Sequence, residues 1–306
     1  MQQIIYVKLF QNYSKRGRKM FGKRSDGKEL KNTPAFFKIV PMIMKERSDS
    51  QVFFNQDIAI SAINNYIENK AKEGIKLSIL DIIFAAVVRI LNERPILNRF
   101  AINGRIYSRN TISISLAIKK SLTDEGEETT LKILFDGTEN LFEVHDKLHK
   151  IISENKDLDA KNGTDKTASF LAKIPIPILK CAIGFIKHLD NTGHLPKSLI
   201  NISPFHTSAF ITNVGSIGID SIYHHLYNFG TTSMFFAIGK KKKSYVFTDD
   251  EIKEERCINL AFVGDERICD GYYFAHSFKI LNKYLQHPEL LETGLQEKIK
   301  DPELVK

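Results

Sequence analysis

A chain of 306 residues, 42% apolar and 26% charged, is long enough to bury a substantial core as one large α/β domain or two smaller ones. Its three cysteines (Cys181, Cys257, Cys269) are scattered and odd in number, which excludes a disulfide framework and cysteine metal-ligand spacing and fits a reducing cytoplasm. The net charge of +8 comes without a membrane span: the most apolar run, Phe170 to Leu189, is interrupted by Lys173, Lys180, Lys187 and two prolines.

The amino terminus lacks the basic start, apolar middle and small-residue cleavage site of a signal peptide. Between Lys15 and Lys31, eight basic residues stand against only Asp26 and Glu29. Lys240 to Lys243 form a second basic run. A nucleic-acid reader would add a recognisable module or interleaved aromatics on the basic face. Neither is present, so nucleic acid is not an expected partner. The two runs read either as a solvated arm and hairpin or as contacts to the phosphates of an anionic cofactor.

After the basic arm, Phe36 to Met44 is predicted as a strand or packed extended segment, and Gln51 to Ile58 as a second strand. Ile60, Ile63, Tyr66 and Ile67 recur at helical spacing, giving an amphipathic helix up to Gly74. Ser78 with Asp81 forms the pattern of a capping box for a helix over Ile79 to Asn92, apolar on most of its surface and hence central. Pro95 ends that segment. Asn103-Gly104 signals a tight hairpin. Thr111 to Ile118 and Leu131 to Phe135 are predicted strands, separated by an acidic turn, and Asn140 to Asn155 a helix.

The polar stretch from Asn155 to Lys166 is predicted as a loop or internal linker, and Ala168 to Leu189 as helix broken at Pro175 and Pro177. Three strands follow (Ala209 to Val214, Ser233 to Ile238, Asn259 to Val263), then a helix from Tyr272 to Leu285. This irregular alternation with hairpin signals predicts an α/β two-layer sandwich with a mixed β-sheet. No Gly-x-Gly-x-x-Gly or phosphate-loop motif is present, which argues against a dehydrogenase or NTPase.

Two segments carry the chemistry. One is Phe210-Ile211-Thr212-Asn213-Val214-Gly215-Ser216-Ile217-Gly218-Ile219, and the other is Gly264-Asp265-Glu266-Arg267-Ile268-Cys269-Asp270-Gly271. Together they resemble the catalytic domain of the 2-oxoacid dehydrogenase acyltransferases, which shares its fold with chloramphenicol acetyltransferase. The first is similar to that family's Thr-Ile-Ser-Asn-Leu-Gly-x-x-Gly turn. The second is similar to its Asp-His-Arg-x-x-Asp-Gly motif, with Glu266 at the position of the histidine. A weaker likeness covers Gly74-Ile75-Lys76-Leu77-Ser78 and Pro95-Ile96-Leu97-Asn98. The resemblance extends from about Gln51 to Leu291. It implies a basic arm over residues 1–50, an acyltransferase domain over 51–291 and a tail over 292–306.

The resemblance further implies a homotrimer with each active site between neighbouring subunits. In the family a histidine takes the thiol proton of CoA or dihydrolipoamide, and a hydroxyl from the adjacent subunit stabilises the oxyanion. Carried across, Thr212 matches the oxyanion hydroxyl, Asp270 the structural carboxylate held through an arginine, and Gly271 the turn into the last helix. Asp265, Arg267, Asn213 and Gly215 match flanking positions. CoA or acyl-CoA is the expected substrate, with no metal. No lipoyl-carrying segment precedes the domain, so a stand-alone relative without a covalently bound lipoyl group is expected.

An ordinary Glu titrates near 4.3 and a thiol near 8.5, so proton transfer between them is uphill by roughly 5–6 kcal/mol. Burial near Asp265 and Asp270 would raise the basicity of Glu266, whereas Arg267 folded towards it would lower it. His206 is a second candidate base, lying just before the strand of Thr212, and His224-His225 follow the glycine turn. Each of these also reads as a packing histidine, and Glu266 as a salt-bridged surface carboxylate. Cys269 follows an apolar strand with no base at fixed spacing and reads as a buried packing residue. Three functions fit: a CoA-dependent acyltransferase using Thr212 with Glu266 or His206, a trimer that kept the fold without turnover, and a dehydrogenase-complex component served by a separate lipoyl carrier protein.

Overall fold

Period-two apolar strands and apolar helical stripes sort the described residues into two sheets, with four helices layered on one face of the larger. The computed structural model describes residues 23–119, 123–124, 128–155, 165, 169, 171–247 and 251–305. In chain order it begins with β1 (Gly27–Glu29), α1 (Ala35–Ile43), β2 (Gln51–Ala59), α2 (Ser61–Lys72) and α3 (Ile79–Glu93). Then come β3 (Arg99–Ile102), β4 (Arg105–Arg109), β5 (Ile112–Lys119), β6 (Glu128–Phe135) and α4 (Leu141–Asn155). The last part contains α5 (Ile176–Thr192), α6 (Lys197–Ile202), β7 (Ala209–Asn213), β8 (Met234–Phe247), β9 (Ile252–Asp265), α7 (Gly271–Gln286) and a short α8 (Pro302–Val305).

The main sheet has the order β2-β9-β8-β7-β5-β6. Its β5/β7 and β7/β8 pairs are parallel and the others antiparallel, so it is the mixed sheet expected. A smaller antiparallel sheet, β1-β4-β3, turns at Asn103 and Gly104, whose φ values of 48° and 71° are those a two-residue hairpin of the Asn-Gly type requires.

One face of the main sheet carries α2, α3, α4 and α7. Helix α3 is central because it is capped at one end and apolar on most of its surface. The Ser78 hydroxyl accepts from the Asp81 backbone N–H, and Asp81 Oδ2 accepts from the Ser78 N–H (2.7 Å). Residues Asp81 to Asn92 are then buried without a break. Side chains such as Phe84 and Leu91 each stabilise the fold by about 1.5–3 kcal/mol relative to exposure.

On the opposite face, Phe210, Leu226, Phe235 and Val263 form a second, smaller cluster. The chain after β7 lies over this face and is held there by hydrogen bonds to β2 and β9. Ser221 donates to the Asn259 side chain, Asn55 Nδ2 donates to Tyr223 Oη (2.8 Å), and the Leu226 N–H donates to Gln51 Oε1 (2.7 Å).

Three expectations need correction or fall out of view, and a fourth holds. Phe36 to Met44 is largely helical, because Pro34 caps its start and the buried or half-buried positions Phe37, Val40, Pro41 and Met44 recur at i, i+3, i+4 and i+7. The break expected at Pro175 and Pro177 is present: residues 169 and 171 are helical, residues 172–175 are not, and α5 starts afresh at Ile176, with Pro175 at its N-cap and Pro177 in its first turn, where a missing N–H costs no intrahelical bond. Strands β8 and β9 run well beyond Ile238 and before Asn259 as a two-stranded ribbon, on which Lys243 pairs with Glu254 (2.7 Å) and Lys242 with Asp57 (3.0 Å). The second basic run therefore lies on a hairpin with acidic partners. Most of the expected acidic turn and of the Asn155–Lys166 linker, like Lys15, Arg16, Arg18 and Lys19, lies outside the described residues.

Candidate active site

The turn between β9 and α7 is fixed by a buried ion pair that leaves one residue free. Arg267 makes a two-toothed contact with Asp265 (2.8 and 2.7 Å) and donates to the carbonyls of Met44 and Lys45 (3.1 Å each). Ser50 Oγ adds a 2.9 Å bond to Asp265. Such a fully partnered pair is costly to break, by about 3–5 kcal/mol, since it would strand a buried charge. The arginine-held carboxylate is thus Asp265. Asp270 instead caps α7, its Oδ1 accepting from the Tyr273 N–H at 2.8 Å.

Between these anchors the Glu266 N–H donates to the Ser50 carbonyl at 2.9 Å, so its backbone is held while its side chain is exposed. Arg267 points into its ion pair with Asp265. Glu266 stands at the edge of a cleft of about 640 Å³ between β2 and α7, floored by Val52, Phe54, Phe274 and Phe278. Gly271 also lines this cleft, and a Cβ added there would meet no atom within 4 Å. Cys269, two residues back, is buried, and burial pushes its thiol well above the ordinary range, so it is no nucleophile.

Thr212 lies on the other side of the sheet. It sits on β7 between Ala117 of β5 and Ala237 of β8, half-buried, on the face of Phe210 and not that of the core residue Ile211. Asn213 leads into a 3₁₀ turn, Val214–Ile217, whose first bend is tied by Ser216 Oγ donating to the Asn213 carbonyl at 2.6 Å. Gly215 is required there by close approach: a Cβ would come within 2.5 Å of the Gly239 carbonyl oxygen. Through the ladder, Thr212 is level with Ala237 and Ala261, whereas Glu266 lies five residues past Ala261 and on the opposite face. At about 3.3 Å per strand residue and 4.8 Å per strand, their side chains are on the order of 15–20 Å apart in one chain.

His206 joins neither surface. It is 2% exposed, with Nε2 3.1 Å from Asp190 Oδ2 and Nδ1 2.8 Å from Ser203 Oγ. Arg24 pairs with Asp190 (2.8 Å) and Asp26 (2.8 Å) in the same cluster. Burial lowers the His206 pKa in spite of its carboxylate partner. Of the pair after the glycine turn, His224 stacks on Phe235 with a ring separation of 4.1 Å, and His225 is exposed beside Tyr227.

The cleft floor was not foreseen from the sequence. Its signal was available in Val52, Phe54 and Gln56, alternate positions of an edge strand, facing Phe274 and Phe278 one helical turn apart.

The family model described as 2-oxoacid dehydrogenases acyltransferase (catalytic domain) matches residues 201–293, which span both segments. No match was found among curated protein sequences. Among solved structures, a chloramphenicol acetyltransferase is similar at 12% identity, covering 85% of this chain and 99% of its own, with a TM-score of 0.53. The cubic core of a pyruvate dehydrogenase multienzyme complex is similar at 16% identity, covering 86% and 94%, with a TM-score of 0.50. A probable dihydrolipoamide acetyltransferase from Listeria monocytogenes is similar at 17% identity, covering 81% and 91%, with a TM-score of 0.47. The chain has the chloramphenicol acetyltransferase-like fold, and its carboxy-terminal third carries the acyltransferase-like signature, as the sequence resemblance implied.

Proposed function

We propose that this protein transfers an acyl group between CoA and a thiol acceptor, at sites built from Glu266 of one subunit and Thr212 of its neighbour. One observation carries the reading. Each chain presents the two groups on opposite faces, Glu266 at a cleft and Thr212 near the end of β7, which supports a site completed by a second chain. The open space at Gly271 supports it, because nothing in the chain's own packing requires a glycine there.

In this mechanism the Glu266 carboxylate accepts the proton of the attacking thiol. The resulting thiolate forms a bond to the thioester carbonyl carbon, and the oxyanion is stabilised by a hydrogen bond donated by the Thr212 hydroxyl. Collapse of the tetrahedral intermediate breaks the bond to the CoA sulfur. The departing thiolate recovers the proton from Glu266.

A second reading, a trimer that binds acyl-CoA without turnover, is favoured by the exposure of Glu266 in a single chain. A carboxylate left in water would be a weak base for a thiol. The test is release of CoA from acetyl-CoA with dihydrolipoamide as acceptor. The acyltransferase reading expects a measurable rate that Glu266→Gln lowers by about 10²–10⁴-fold. Thr212→Ala should lower it by about 10²–10³-fold while acetyl-CoA affinity is retained. Binding without any rate, restored by Glu266→His, would establish the second reading instead.

A further inference from the structure

Outside the acyltransferase cleft, three metal-ligating side chains converge at the junction of α3 and α4. His145 and His149 stand one turn apart on α4, with ring centroids 4.1 Å from each other. Both face the same oxygen of Asp81: His149 Nε2 lies 2.9 Å and His145 Nδ1 3.2 Å from Asp81 Oδ1. All three donor atoms lie within 4.8 Å of one another, the one such cluster among the described residues. We propose that Asp81, His145 and His149 form a binding site for a divalent transition metal of the zinc class, tying α4 to the first turn of α3.

The carboxylate is built for this. Asp81 is fully buried, and its second oxygen, Oδ2, is taken by the Ser78 N–H and hydroxyl (2.7 and 2.6 Å). Those bonds fix the carboxylate plane and aim Oδ1 at the histidines, as outer-shell partners orient a ligand in known metal sites. Tetrahedral zinc with bonds of about 2.0–2.2 Å sets neighbouring ligand atoms roughly 3.4 Å apart. The two Asp81 contacts fall short of that by a few tenths of an ångström, a gap that small rotations of the two imidazoles close.

His145 Nδ1 is the telling atom. It is buried and makes no aligned hydrogen bond among the described residues, although Asp81 Oδ1 is 3.2 Å away. A hydrogen-bonded clasp needs only one histidine and leaves this nitrogen unused; a metal uses it. Binding requires both coordinating nitrogens unprotonated, so the ring protons sit on His145 Nε2 and His149 Nδ1. The side chain of His149 is 51% exposed and that of His145 22%, so the outward side is open to a water as fourth ligand. Two imidazoles and one carboxylate suit zinc, cobalt or nickel in preference to magnesium or calcium, which favour oxygen ligands. None of the three residues lines the Glu266 cleft.

The test uses the full chain, stripped with EDTA and titrated with ZnCl₂ and, separately, CoCl₂. The expected result is one zinc per chain, a higher Tm on binding, and visible absorption bands of four- or five-coordinate cobalt. His145→Ala and His149→Ala should each weaken zinc binding by on the order of a hundredfold, while His224→Ala leaves it unchanged. Magnesium should not compete. Absence of cobalt bands from the wild-type chain, or binding that survives both changes on α4, would overturn the proposal and leave the cluster as a carboxylate–imidazole clasp.

Discussion

His206 and Glu266 show how little a residue's type says about its chemistry until its neighbours are known. Both were candidate bases, yet one is sealed inside an ion cluster and the other stands at a cleft. The Arg24, Asp26 and Asp190 charges around His206 are already nearly balanced, with Arg109 close by, so a protonated imidazole would add an unmatched buried charge. The consequence is a pH effect of defined sign. With its folded pKa lowered, chiefly by burial, His206 stays neutral where the unfolded chain, titrating near 6.5, takes a proton. Stability therefore falls as pH drops below about 6.5, by up to about 1 kcal/mol per pH unit from this group. Asp26 and Asp190, whose pKa values are held low by Arg24 and, for Asp190, also His206 against the cost of burial, keep their contribution until the pH falls below about 4. Thermal unfolding between pH 8 and 3 should thus show two stages of loss, and His206→Gln should remove the upper stage and, through Asp190, shrink part of the lower one. An unchanged upper stage in the variant would place its origin in another histidine.

Elements were legible in the sequence where local chemistry dictates them. The capping box at Ser78 and the Asn103-Gly104 hairpin each rest on side-chain or φ requirements that need no distant partner, whereas Asp270, expected as an arginine-held carboxylate, is the cap of α7. The ribbon halves of β8 and β9 were missed for the opposite reason. With neither face packed on the core, Lys241 to Lys243 and Lys253 to Glu255 show no apolar alternation, and their pairing depends on cross-strand partners. Helix α1 was misread because a short apolar run around Pro41 fits both periods. The Thr212 turn lies between these cases: its residues are recognisable, but the need for Gly215 is a packing fact. Its missing Cβ makes room for the Gly239 carbonyl, while Gly271 faces open space. Gly215→Ala should therefore destabilise the chain by about 1–3 kcal/mol in urea unfolding. Gly271→Ala should leave the midpoint unchanged or slightly higher, yet weaken acetyl-CoA binding if the cleft is the acyl-CoA site. Equal loss of stability in both would mean that Gly271 serves the fold.

At the scale of the whole molecule, the proposed reading makes the single chain an incomplete site, and apolar side chains are exposed among the described residues beside it. Phe53, Ile217, Ile219, Ile222 and Tyr223 are all exposed, on or beside the face that carries Thr212. Exposed apolar groups gathered near a half-site are what a subunit interface would cover. On the proposed reading, light scattering should give about three times the chain mass of 34.9 kDa. The division of labour between subunits can be tested without any structure of the assembly. A trimer of Glu266→Gln chains lacks every base, and a trimer of Thr212→Ala chains lacks every oxyanion hydroxyl. When the two variants are unfolded, mixed in equal amounts and refolded together, some interfaces join the intact Glu266 of one chain to the intact Thr212 of the next. Random assembly makes about a quarter of the sites whole, so the mixture should recover about a quarter of the wild-type rate from two nearly inactive parents. If both groups acted within one chain, no mixture could restore a site, and the rate would stay at the mean of the parents. Mixing the folded trimers without denaturation supplies the control, since intact trimers exchange no subunits and should gain nothing.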